Sequence, residues 1–200
     1  MALTDRERDL LDRIEGLVFD QQGASLPFSA RLARDNGWSR TYTARVVAEY
    51  RRFVFLAAAA GHPVTPSEEV DQAWHLHLVY TRSYWDELCG EVLGFPLHHG
   101  PTVGGSAESA KFADWYQHTL DSYRRLFGTE PPADIWPAPE ARFANAHRFQ
   151  RVNIAEHWVV PKPAVARPGG ASRSLPAAAL GAVTALVLTG CMVAARTNPG

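Results

Sequence analysis

Cysteine is almost missing from this chain. The two present, Cys89 and Cys191, stand far apart in different surroundings. That excludes a disulfide framework and suits a reducing compartment. Charge of one sign is missing too: Lys and Arg number 20, Asp and Glu 21, for a formal net charge of -1 at pH 7. Such a balance offers no strong field to nucleic acid or to acidic substrates. No alternating β pattern and no internal repeat is visible. Gly104-Gly105 lacks the strand and helix context of a phosphate loop, and no G-x-S-x-G elbow marks a serine hydrolase. Dependable zinc patterns, H-E-x-x-H and paired C-x-x-C, are likewise absent. The charged opening Thr4-Asp5-Arg6-Glu7-Arg8 stands where a secretory signal would need apolar residues.

What is present is concentrated. Between Val70 and Pro101 lie four of the eight histidines, two tryptophans and Cys89. The 200 residues suit one medium domain plus an appendage. We expect an all-α fold, a multi-helix domain of five to six helices over 1–158. A Pro/Gly/Ala linker follows over 159–174, then a transmembrane helix over 175–195 and a short tail over 196–200.

The helices are read from caps and periodicity. Thr4 and Glu7 form a capping box ahead of Leu10, Leu11, Ile14, Leu17 and Val18 at helical spacing. A short helix over Pro27 to Asn36 stops at Gly37. A third starts near Ser39, buries Tyr42, Val46, Tyr50, Phe53 and Val54, and ends by Gly61. Thr65-Pro66-Ser67-Glu68 signals another start, with Thr65 as the cap and Pro66 in the first turn, and that helix runs unbroken to Leu93, where Gly94 and Pro96 end it. Ser106 to Phe127 repeats the pattern, and a last helix spans Glu140 to Asn153.

Geometry limits what the polar residues can do together. On an unbroken helix Val70, Trp74, Leu78, Thr81, Trp85, Leu88 and Val92 form one core stripe. His75 and His77 then point about 160° apart, so both cannot serve one small ion. Asp71 and His75, four residues apart, can meet. His75 and Leu93 lie about 27 Å apart along that helix. The five residues from Leu93 to His98 reach about 17 Å at most. His98 and His99 are therefore expected near Cys89, away from His75. Asp114 and His118 on the next helix are further candidate ligands. Zinc is the cofactor these residue types suit, with Asp71, His75, His77, Cys89, His98 and His99 as candidates divided among more than one site. The competing readings are a helix-end Asp71–His75 hydrogen bond with His77 packed among aromatics, and Cys89 as a small buried hydrophobe.

Leu175 to Ala195 carries no charge and would span about 31 Å as a helix, close to a bilayer's hydrocarbon thickness. Lys162, Arg167 and Arg173 precede it and Arg196 follows, which favours a cytoplasmic N-terminal domain on a single-pass membrane anchor. Leu188-Thr189-Gly190-Cys191 has the form of a lipoprotein cleavage box, but such a box works near an N-terminus. Arg142, His147, Arg148 and Arg151 form a modest basic patch that reads as a solvated face rather than a nucleic-acid site.

The run Thr65-Pro66-Ser67-Glu68-Glu69-Val70-Asp71-Gln72-Ala73-Trp74-His75-Leu76-His77, with Thr81, Tyr84, Cys89, Gly94 and His98-His99-Gly100-Pro101, resembles the glycine-rich domain-containing protein family of plants and bacteria. Tyr116, Thr119, Tyr123, Phe127-Gly128, Pro131-Pro132 and Trp136-Pro137 fit its bacterial members. The resemblance covers roughly Ser39 to Pro137 and implies an α-helical domain, with plant relatives linked to stress responses and development. It points to Asp71, Trp74, His75, His77, Thr81, Tyr84, Cys89 and His98 without defining their chemistry. The plant pattern's Gly-rich tail is absent here. The function we expect is a membrane-tethered helical binding module with a protein partner. A metal-dependent hydrolase and a metal-binding sensor, each using Asp71 with His75 or His77, are the alternatives.

Overall fold

A computed structural model describes residues 3–100, 106–144, 152–153 and 156–160. The chain divides into two compact units, Met1–Phe149 and Gln150–Gly200. Among its described residues the first contains seven helices and no strand. In the second, Glu156 and His157 donate backbone N–H groups to the Asn153 carbonyl, forming a single turn. The expected transmembrane segment, 175–195, lies outside the described residues. Among the described residues no helix is long and apolar enough to cross a membrane.

Helix α1 (Asp5–Glu15) begins with the expected capping box, Thr4 Oγ1 accepting from Glu7 N while the Glu7 carboxylate accepts from Thr4 N. Helix α2 (Phe28–Asn36) ends at Gly37, whose φ of 68° lies in the left-handed region that glycine enters at least cost. Helix α3 (Arg40–Ala59) is capped by Ser39 and buries Val46, Val47, Tyr50, Phe53, Val54, Phe55 and Leu56. It is the central element, packing against α1, α2, α4 and α5. Helix α5 covers Ser106–Phe127 and α6 covers Pro139–Ala144.

The helix expected from Pro66 to Leu93 is two helices. Helix α4 (Glu68–Val79) stops at Tyr80, whose φ of -86° and ψ of 64° are not helical. A π helix then runs over Arg82–Leu93, ended by Gly94. The break has no Gly or Pro. Val79, Tyr80 and Thr81 are residues that lose rotamer freedom in a helix, and the Tyr80 ring packs edge-on against Phe28 at 5.4 Å. Tertiary packing thus overrides local continuity. The start differs too: the cap is Ser67, its Oγ 3.3 Å from Val70 N, rather than Thr65. Thr65 is buried and donates its N–H to Thr119 Oγ1. At the far end α6 covers Pro139–Ala144, residues 145–151 of the expected last helix lie outside the described residues, and Val152 and Asn153 are not helical.

Beyond the break the predicted core stripe holds at Leu88 but not at Thr81 or Trp85. Val70, Ala73, Trp74 and His77 are buried on α4, but the π helix buries Tyr84, Leu88 and Cys89. Thr81 and Trp85 are exposed. The wider i→i+5 winding and the turn at Tyr80 rotate a different face inward. Arg13 of α1 ties this element down by donating to the carbonyls of Glu91 and Val92.

A buried carboxylate locks α3 to α5 and to the segment after it. Glu49 accepts from Trp136 Nε1 at 2.9 Å, from Tyr123 at 3.3 Å and from Arg52 at 3.0 Å. A carboxyl group this buried is tolerated because every oxygen has a donor. Arg142 of the expected basic patch is mostly buried and pairs with Glu68 at 3.0 Å. The patch's other members lie outside the described residues.

Candidate metal centre

The fold-back at Tyr80 decides where the histidines go. Along a straight helix Trp74 and Tyr84 would stand about 15 Å apart. Instead Trp74 Nε1 donates to the Tyr84 hydroxyl at 2.8 Å, and that hydroxyl donates to the Leu97 carbonyl. The relay pins the loop after Gly94 across the first turns of α4. Burial pushes the Tyr84 hydroxyl up to about 12, so it remains a donor at neutral pH.

The pinned loop delivers His99 onto Trp74, ring centroids 4.4 Å apart, and onto Asp71. His99 Nε2 lies 2.9 Å from Asp71 Oδ1, and His75 Nε2 lies 3.8 Å from Asp71 Oδ2. The two imidazoles lie 4.4 Å apart, tilted by 45°. One ligand atom from each of Asp71, His75 and His99 falls within 4.8 Å of the others. The side chains of Asp71 and His99 are 18% and 22% exposed, and His75 is 49% exposed, so the group opens to solvent on the His75 side.

His99 therefore reaches His75, contrary to the expectation from an unbroken helix. The other candidates go elsewhere. His77 is fully buried in the core, with its ring between Phe19, Phe28, Tyr50 and Tyr84. Its Nδ1 is 2.8 Å from the Tyr50 hydroxyl and its Nε2 is 3.2 Å from Ser83 Oγ. Burial lowers its pKa from 6.5 to about 4, so it is neutral at physiological pH. Cys89 is a buried core residue. His98 is exposed and rests near Trp85 at 5.7 Å. Asp114 and His118 approach each other at 3.8 Å on an exposed face of α5. Trp74 and Tyr84 build the relay, while Thr81 marks the start of the π helix.

A tetrahedral ion held at zinc–nitrogen and zinc–oxygen distances keeps its ligand atoms about 3.3 Å apart. The separations of 2.9 and 3.8 Å run to different oxygens of Asp71, and one atom from each of the three residues falls within 4.8 Å of the others, so the group is close enough to gather around such an ion with small side-chain shifts. Two imidazoles and one carboxylate form the ligand set of an open site, with room for water or another donor.

Comparison with known proteins agrees with this helical region. The family described as UCP032817-like matches residues 28–114, which contain every residue of the site. Glycine-rich domain-containing protein 1 of Arabidopsis thaliana is 25% identical over 108 residues, 52% of this chain and 13% of that protein. The chain spans about an eighth of that relative's length, and no solved structure matches it.

Two features escaped sequence reasoning. Glu49 sits in the apolar register of α3, and a carboxylate there was the available signal. The reach of His99 to Asp71 depended on the break at Tyr80, which no breaker residue announces.

Proposed function

We propose that this protein is a helical metal-binding module that holds one zinc-type divalent ion through Asp71, His75 and His99. The observation that carries the reading is the convergence of three ligand atoms from two segments 28 residues apart, with His99 seated by the Trp74–Tyr84–Leu97 relay. Groups that orient a ligand are what a metal site needs beyond the ligands themselves. The half-exposed His75 leaves a position for a partner's donor group. As part of this proposal, the chain is a bacterial member of the glycine-rich domain-containing protein family and its apolar stretch 175–195 tethers the module to a membrane.

Hydrolysis at the open position is a second reading, favoured by the exposure of His75, because a metal-bound water becomes a nucleophile near neutral pH. A metal-free clamp is the alternative to both: the 2.9 Å His99–Asp71 contact is a complete hydrogen bond by itself.

Metal content decides among them. The chain is purified without a histidine tag or chelator, beside an Asp71→Asn variant and a His75→Ala/His99→Ala double variant. One zinc-type ion per chain, lost in both variants while far-UV circular dichroism is unchanged, is the expected result. A metal-free, folded wild type that takes up no added zinc overturns the proposal.

A further inference from the structure

Away from the metal centre, a cleft of about 690 Å³ opens between the segment after α1, helix α2 and one face of α3. Its volume is in the range of small-molecule sites. The lining mixes apolar and polar groups in nearly equal measure: Val18, Pro27 and the edges of the buried Phe19 and Phe28 rings, which stack at 5.0 Å, stand beside Ser25 and Ser29. Its charged groups are Arg40, Arg51 and Asp20.

These three charges are not equivalent. Asp20 is already committed: its two oxygens accept from Ser29 N at 2.8 Å and Ser29 Oγ at 2.5 Å, which caps the start of α2. Arg51 is half-buried, its guanidinium lying 4.7 Å over the Phe19 ring and donating to the Leu17 carbonyl at 2.7 Å. Among the described residues no carboxylate lies within ion-pair distance of Arg51 or of Arg40. A half-buried guanidinium is ordinarily matched by an anion. The contacts to Phe19 and Leu17 fix the fork in advance, which reduces the ordering cost of taking one.

The α3 face of the cleft follows helical spacing. Arg40, Ala44, Val47 and Arg51 fall at i, i+4, i+7 and i+11, placing a cation at each end of a floor about 16 Å long. Small residues between the two leave space for an apolar body. We propose that this cleft binds a small organic carboxylate with an apolar body, its carboxylate received by Arg51 or Arg40 and its body by the Phe19–Phe28 wall. The ligand class follows from charge complementarity: neither cation has a carboxylate in ion-pair contact, Arg51 feels Glu15 and Asp20 only at longer range, and both Asp20 oxygens are engaged by Ser29.

The test uses the full chain in mild detergent and calorimetric titration with 3-phenylpropionate and octanoate, beside the uncharged 3-phenylpropanol and the cationic 3-phenylpropylamine. Saturable binding of at least one carboxylate is expected, with the alcohol at least about tenfold weaker, the loss of one charge-assisted hydrogen bond. Arg51→Gln should weaken carboxylate binding by about tenfold or more. Arg40→Gln removes an exposed side chain with no other role in the fold, so it tests the cleft without a folding penalty, and it should also weaken binding. Binding of neither carboxylate overturns the proposal. So does equal binding of acid and alcohol, or carboxylate affinity unchanged in both variants.

Discussion

His77 gives the sharpest quantitative test of the fold, because its surroundings fix both its protonation state and its tautomer. Ser83 Oγ donates to Glu87 at 3.2 Å, so it must accept from His77 Nε2–H, which leaves Nδ1 to accept the Tyr50 hydroxyl proton. The imidazole is thus held neutral, with its pKa lowered from 6.5 to about 4 by burial. The unfolded chain takes up this proton near the ordinary value and the folded chain resists it. Stability from His77 is therefore complete above the unfolded pKa and is lost as pH falls toward the folded one. Linkage makes the loss about 2 kcal/mol by pH 5 and about 3 kcal/mol by pH 4. The assay is urea unfolding followed by tryptophan fluorescence at pH 7.5, 6 and 5, for the wild type and for His77→Phe. The phenylalanine leaves the Tyr50 hydroxyl without its acceptor, a cost of about 1–3 kcal/mol that does not vary over this range. The variant should be less stable at pH 7.5 and should close the gap by about 2 kcal/mol at pH 5. Parallel wild-type and variant curves would refute the neutral, buried assignment.

Tyr84→Phe keeps the buried ring but cuts the relay at its centre, leaving Trp74 Nε1 and the Leu97 carbonyl without each other's intermediary. It should cost about 1–3 kcal/mol in urea unfolding and weaken zinc uptake, since His99 loses its seat; unchanged metal affinity would separate the loop from the site. Trp74→Ala should cost about 3–5 kcal/mol, because the ring is 7% exposed and packs on Phe53 at 5.1 Å; a loss under about 1 kcal/mol would contradict its place in the core. Charged residues at Val183 and Leu186 should release the chain from membranes in a flotation assay, and continued retention would count against the anchor.

The parts of the fold legible in sequence were those with local causes. Thr4 with Glu7, Ser39, Gly37 and Gly94 each act within a few residues of chain, and each ends or starts an element where expected. The helix of α5 was read to its ends because Phe112, Trp115, Tyr116, Thr119 and Tyr123 keep one period throughout. Illegible parts had distant causes. Ser67 displaces Thr65 as the cap because Thr65 is held by Thr119, 54 residues away. Tyr80 leaves the helix against Phe28, 52 residues upstream. No window of ordinary length contains either pair. The candidate site was half legible for the same reason: Asp71 and His75 pair within one helix, whereas His99 arrives only through the fold-back.

That fold-back also explains how one short string serves both the core and the site. On α4, Trp74 and His77 lie about 60° apart and share the buried face, whereas His75 points about 160° from His77. Trp74 and His77 are 7% and 0% exposed, and the His75 side chain is 49% exposed. Trp-His-x-His thus directs its first and last residues inward and its second outward. The inward pair then governs the outward one. Trp74 holds Tyr84, which holds Leu97, and its ring also carries His99; His77 packs on Tyr84 from the opposite side at 5.1 Å. A change at His77 should therefore reach the site through Tyr84 although its ring contacts no member of the Asp71–His75–His99 group. In His77→Phe, a metal affinity that falls while Asp71, His75 and His99 are intact would show that coupling. An unchanged affinity would place the core and the site on independent supports.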